Sequence, residues 1–203
     1  MTMQLKNIIA IIVFSLLPLA AYSEEAAHTT ATPESFVQNT SSRVIALLKS
    51  RTSDESKQKQ LTQMFLQVMD SDWIGKFVLG KHWQTLSDDQ KRTYLKNYRK
   101  YLIDSYVPKF RQYNDQAIHV KGIKDLGHGQ FLVITDIVSS SSQANTKVEY
   151  RIQAAGDGYK IHDIVAEGVS LLTTQRSEFS SIMSNEGFDA LNDRLLSKDN
   201  DNN

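Results

Sequence analysis

Residues 117–165 read AIHVKGIKDLGHGQFLVITDIVSSSSQANTKVEYRIQAAGDGYKIHDIV. Four runs in this stretch carry strand chemistry: Ala117–Lys124, Gln130–Val138, Thr146–Ala154 and Tyr159–Val165. They are rich in Val, Ile, Tyr, Phe and Thr, and Gly127-His128-Gly129, Ser139–Ser142 and Gly156-Asp157-Gly158 supply turn chemistry between them. Links this short require antiparallel pairing, because a parallel pair needs a long crossover. The third run alternates, with Val148, Tyr150, Ile152 and Ala154 on one face and Lys147, Glu149, Arg151 and Gln153 on the other. One face of the sheet is therefore solvated. The second run is apolar nearly throughout, as a central strand covered on both faces would be.

On both sides of this stretch the period changes to that of a helix. Thr32-Pro33-Glu34 starts a first helix, with Thr as N-cap and Pro at the first position, and Phe36, Val37, Thr40, Val44, Leu47 and Leu48 recur at helical spacing. Thr52–Glu55 opens a second helix with Leu61, Met64, Phe65, Val68 and Met69 as its stripe. Asp70–Asp72 caps a short third helix that stops at Gly80. Ser87-Asp88-Asp89-Gln90 is a capping box. The long helix after it carries Tyr94, Leu95, Tyr98, Tyr101, Leu102, Tyr106 and Val107, and Pro108 ends it. After the strands, Val169–Met183 and a short segment beyond Gly187 read as helices. The order predicts an α+β protein: helices wrapped around a bent four-stranded antiparallel sheet, a cone of the NTF2-like shape, enclosing an apolar pocket. One domain spans 33–197, with a helical part over 33–110 and the sheet plus C-terminal helices over 117–197.

The chain has 203 residues, 23 basic and 23 acidic side chains and no cysteine. The charge balance lacks the basic excess of a nucleic-acid binder, so no nucleic-acid partner is expected. Without cysteine there is no disulfide framework, no thiolate nucleophile and no cysteine-held metal. The first 23 residues have one Lys, an apolar run over Ile8–Leu17 and small residues before Ser23. This is the pattern of a cleaved signal peptide, and the run falls short of the roughly 20 apolar residues that span a bilayer. Residues 24–32 read as a mobile leader and 198–203 as a disordered tail. An exported chain without cysteines fits a bacterial periplasm.

No catalytic constellation stands out. There is no phosphate-cradling glycine loop and no nucleophile elbow. His28, His82, His119, His128 and His162 lack metal-ligand spacing, and no cofactor or metal is expected. Asp136 and Asp163 are the acids that an enzyme on a cone fold could bury as a general base. The blander reading is that Asp163 or Glu167 pairs with Arg176 to tie the last strand to the helix after it. The tyrosine stripe reads as core rather than as a ligand ladder. Lys91, Arg92, Lys96, Arg99 and Lys100 form a basic helix face; Arg92 and Arg99 are its candidates for docking a partner.

Two segments together carry a resemblance. One is Phe77-Val78-Leu79-Gly80-Lys81-His82-Trp83 followed by Ser87–Arg92 and the aromatic helix. The other is Tyr159-Lys160-Ile161-His162-Asp163-Ile164-Val165-Ala166-Glu167-Gly168-Val169-Ser170-Leu171, then Arg176-Ser177-Glu178-Phe179. These resemble the MlaC family of periplasmic phospholipid-binding proteins, also described as toluene-tolerance or auxiliary transport components. Tyr159 stands where the family pattern has Trp. The resemblance covers about residues 34–196. It implies a monomeric, non-enzymatic carrier that shelters acyl tails in an apolar pocket. Its implied partners are a phospholipid, an inner-membrane MCE-domain protein of an ABC transporter and an outer-membrane Mla lipoprotein complex, and its implied role is to maintain outer-membrane lipid asymmetry.

The strand pattern nominates Val133, Ile137, Val148, Tyr150, Ile152 and Ile161 as pocket wall, with Phe77, Leu102 and Leu171 from helices. Periodicity does not separate a cavity wall from a filled core. Two alternatives stand beside the carrier: a periplasmic carrier or chaperone of another apolar cargo, and a small hydrolase or isomerase.

Overall fold

A computed structural model describes residues 31–112, 117–138 and 145–197. The N-terminal address over 1–23, nearly all of the 24–32 leader, His28, the Ser139–Ser142 loop and the 198–203 tail lie outside the described residues.

Helix starts are set by short polar side chains that accept otherwise unpartnered N–H groups. Thr32 accepts from the Ser35 N–H at 3.1 Å and opens α1, Pro33–Lys49. Ser53 opens α2, Asp54–Val68, and Asp70 opens α3, Ser71–Leu79. A 3₁₀ turn over Gly80–Thr85 leads to the capping box of Ser87 and Gln90, which opens α4, Asp88–Tyr106. Pro108 falls in a second 3₁₀ turn, Val107–Gln112, directly after α4 ends.

The strands are β1 (Ala117–Gly127), β2 (Gln130–Val138), β3 (Thr146–Ala155), β4 (Gly158–Ala166) and β5 (Val169–Ser170). They form an open antiparallel meander in the order β1-β2-β3-β4-β5. The expected four strands are thus five. Val169 and Ser170 do not begin the next helix; Glu167, at φ 49°, and Gly168 fold the chain back so that Val169 pairs with Ala166. The helix α5 starts two residues later than expected, Leu171–Asn185, capped by Ser170, and α6, Gly187–Ser197, is the last element of the described residues. The β2 expectation also needs correction. Only Val133 and Thr135 of β2 are buried, while Leu132 and Ile134 lie half-buried opposite Arg151 and Glu149. The aliphatic stems of those charged neighbours suffice to shelter that face, so no second layer is required.

Two cores result. The larger lies among the helices, around Tyr94 and Tyr98, both fully buried, with Leu61, Val78, Phe179 and Leu191. Tyr98 stacks on Tyr94 at 5.5 Å and meets Phe179 edge-on at 6.0 Å, so the aromatic stripe of α4 is mainly packing. Gly75 lets α3 approach α4: a Cβ there would sit 2.9 Å from the Tyr98 ring, and the Tyr94 hydroxyl donates to the Gly75 carbonyl at 3.0 Å. The smaller core lies on the sheet, where Val37 of α1 packs on Val133, Ile152 and Ile161.

Candidate functional site: a forked apolar cavity between sheet and helices

Between the two cores the side chains do not fill the space. One cavity of about 400 Å³ lies under α1 and α2, lined by Val44, Leu48, Met64, Phe65 and Val68 from the helices and by Ile118, Ile137, Tyr150, Ile161 and Ile164 from the sheet. A second of about 400 Å³ runs under α4 and α5, lined by Leu102, Tyr106, Val148, Ala166, Leu171 and Leu172. They share Phe65, Met69, Phe110, Ile137, Tyr150 and Ile164, with Lys109 as a seventh common residue, and are two branches of one fork. Volumes of this size are those of ligand sites rather than of packing defects.

A bulge in β4 shapes the wall. Ile152 pairs with Ile161 and Arg151 with Asp163, which leaves His162 as an extra residue in the ladder. Tyr150 and Ile152 share a face, so their partners Ile164 and Ile161 also share it, although three positions apart. The two residues between them border the second branch and hold the helices. The His162 ring stacks on Trp73, and its Nε2 lies 3.1 Å from an Asp70 carboxylate oxygen. Asp163 accepts the Ser170 hydroxyl at 2.7 Å and the Leu172 N–H at 3.0 Å, holding the start of α5. Burial pushes the His162 imidazole below its ordinary 6.5, partly opposed by its hydrogen bond with Asp70.

The inner end of the second branch is polar but internally satisfied. The Tyr98 hydroxyl donates to Gln175 Oε1 at 2.6 Å, and Gln175 Nε2 donates to the Tyr106 hydroxyl at 3.1 Å. Burial, followed by the neighbouring Tyr101, pushes Tyr106 up to about 12, so its phenol stays protonated. Elsewhere the branches are lined chiefly by apolar side chains, a surface suited to hydrocarbon.

The nominated residues divide three ways. Ile137 and Tyr150 line both branches, Ile161 the first, and Leu102, Val148 and Leu171 the second. Val133 and Ile152 line neither; both are fully buried in the sheet core. Phe77 also lines neither. It lies stacked between Trp73 at 5.1 Å and the Arg176 guanidinium at 4.5 Å. The expected pairing of Asp163 or Glu167 with Arg176 is replaced by other partners. Asp163 caps α5, Glu167 accepts the Lys147 N–H at 2.7 Å, and Arg176 donates to the Phe77 carbonyl at 2.8 Å. Arg176 can reach that carbonyl because Gly80, at φ 54°, has no side chain there; a Cβ would lie 2.8 Å from the guanidinium. Arg92 pairs with Asp89, and Arg99 with Asp72 at 2.8 Å, all at the surface. Asp136 lies on the outer face of β2, 3.8 Å from Lys121, away from the cavity.

The α1 and α2 lining, with Ile118 and Ile164, was not anticipated from the sequence. Val44, Leu48, Met64 and Val68 were legible as helical stripes but not as a wall. Ile164 was hidden because regular alternation sets it opposite Ile161. Among the described residues, no cluster of three or more His, Asp or Glu side chains could hold a metal ion, and no helix is long and apolar enough to cross a membrane.

Comparison with known proteins bears on the same architecture. The family model of the MlaC protein matches residues 38–197. The intermembrane phospholipid transport system binding protein MlaC of Haemophilus influenzae is 24% identical over 123 residues, covering 59% of this chain and 58% of that relative's length. The toluene tolerance protein ttg2D of Pseudomonas putida is 23% identical over 164 residues, covering 78% of this chain and 76% of that one. The solved structure of the phospholipid-binding protein from Ralstonia solanacearum, in complex with a phospholipid, is similar with a TM-score of 0.67 and 17% identity, over 80% of this chain and 94% of that one. At that identity the likeness concerns the fold. The family match, over most of the chain's length, establishes that the chain belongs to the MlaC family.

Proposed function

We propose that this chain is a periplasmic phospholipid carrier whose forked cavity holds the acyl tails while the headgroup stays at the mouth. The observation that carries this reading is the pair of adjoining apolar branches, each of about 400 Å³, left open between a sheet and helices that are otherwise close-packed. Transfer through water exposes hydrocarbon at about 0.8 kcal/mol per methylene, on the order of 20 kcal/mol for a two-tailed lipid. A carrier lowers that barrier by replacing the bilayer with its own apolar wall. The names and the bound ligand of the relatives support the same cargo.

In this reading the chain is exported by the signal peptide of residues 1–23 and shuttles as a monomer. It moves between an outer-membrane Mla lipoprotein complex and an inner-membrane MCE-domain protein of an ABC transporter, and so helps to keep phospholipid out of the outer leaflet. It carries out no chemistry and needs no cofactor; the transporter supplies any energy. Arg92 and Arg99 present a basic face for one of these partners.

Native mass spectrometry of the protein from periplasm, with extraction and identification of what leaves it, tests the proposal. A stoichiometric phospholipid is expected. A protein that carries another apolar molecule, and takes no lipid from liposomes, would replace this cargo with a different one.

A further inference from the structure

Lys109 follows Pro108 on the 3₁₀ turn after α4, and it lines both branches of the cavity. Among the residues common to the two branches it alone carries a charge. Its ammonium lies 5.0 Å from the centroid of the Tyr106 ring, and the side chain is exposed. The stem thus lies along the cavity rim while the charge stays in water, as long basic side chains do at apolar boundaries. The other lysines of known pairing are matched to carboxylates: Lys91 to Asp88, Lys100 to Asp104, Lys121 to Asp136 and Lys147 to Glu149. Among the described residues no carboxylate is paired with Lys109. A lone cation at the junction of two hydrocarbon-compatible branches is complementary to one kind of molecule: an amphiphile with apolar tails and an anionic group at their join.

Building on the phospholipid reading above, we propose that Lys109 is the headgroup-selecting residue of the cavity. Its ammonium meets the lipid phosphate where the branches meet, and so favours headgroups of net negative charge over zwitterionic ones, whose own cation competes for that phosphate. The pair is solvent-exposed, so the preference is modest, about two- to five-fold.

The test loads the mature wild-type chain, Lys109→Gln and Lys109→Arg from liposomes of equimolar phosphatidylglycerol and phosphatidylcholine with matched chains, and measures extracted lipid by mass spectrometry. Wild type and Lys109→Arg are expected to enrich phosphatidylglycerol about two- to five-fold, and Lys109→Gln to carry the two lipids in equal proportion. An enrichment that survives in Lys109→Gln would overturn the proposal while leaving the carrier reading in place. Absence of lipid from all three proteins would overturn both. A parallel loading with inorganic phosphate separates the two sources of a phosphate group. Unchanged enrichment supports a headgroup contact, whereas its loss at phosphate concentrations too low for general screening would make Lys109 a site for the free anion and overturn the proposal.

Discussion

The imidazole of His162 lies flat on the indole of Trp73, with ring centroids 3.9 Å apart and planes 10° from parallel. Trp73 in turn stacks on Phe77, and Arg176 covers the far side of Phe77. This column runs from the bulge of β4 through α3 to α5 and fastens one wall of the cavity to the helical core. Burial, at 5% exposure, favours the neutral ring, which sets the sign of its pH response.

Because the folded His162 titrates below its ordinary 6.5, the unfolded chain takes up this proton first as pH falls. The contribution of His162 to stability is full above the unfolded value, declines as pH falls from there toward the folded value, and is level below it. Denaturant unfolding between pH 8 and pH 5 should show this loss, superimposed on that of the carboxylates. His162→Gln should flatten that part of the profile. An identical profile in the variant would show that another group is responsible.

Wall and core residues should respond differently. Val148→Arg places a charge on the second branch and should abolish lipid uptake with circular dichroism preserved, since the side chain can extend into the cavity. Val133→Ala removes packing from the filled sheet core and should lower stability by about 1–3 kcal/mol with lipid content unchanged. If Val148→Arg binds lipid as wild type does, the second branch is not the site.

Asp163 has a structural load that the cavity exploits. Asp163→Ala would leave the buried Leu172 N–H without its acceptor, a loss of about 1–3 kcal/mol, read as a lower urea midpoint at unchanged slope. Asp163→Asn keeps one acceptor oxygen and should lose less. Equal stability of wild type and the alanine variant would contradict the capping role.

Gly80 is held at φ 54° and ψ −123°, a conformation that side chains resist, with the Arg176 guanidinium against it. Gly80→Ala should cost about 1–3 kcal/mol in thermal unfolding and pull Arg176 off Phe77. A double variant with Arg176→Ala should show non-additive losses, because both changes disturb one contact.

Much of this architecture was written in local signals. Ser87 and Gln90 announced α4, and the alternation in Thr146–Ala154 placed Val148 and Tyr150 on the face that lines the cavity. Features that depend on one residue more or less were not legible. Val169-Ser170 is too short to show alternation, and nothing in Ile161–Ile164 marks His162 as an insertion in the ladder. Nor could the helical stripes reveal that Val44 and Leu48 face space while Val37 faces packing. That distinction depends on how far α1 stands from the sheet along its length, which is set by partners distant in sequence.

The same bulge has a consequence for folding fidelity. Were β4 to pair with β3 in uninterrupted register, alternation from Ile161 would turn Ile164 outward and set Asp163, which now borders the second branch while bonded to Ser170 and Leu172, opposite Tyr150 without those partners. An unpaired carboxylate so placed costs several kcal/mol, and the start of α5 would lose its acceptor at the same time. The slipped pairing is thus penalised twice, in the sheet and in the helix. The wall of the cavity also proofreads the hairpin that builds it.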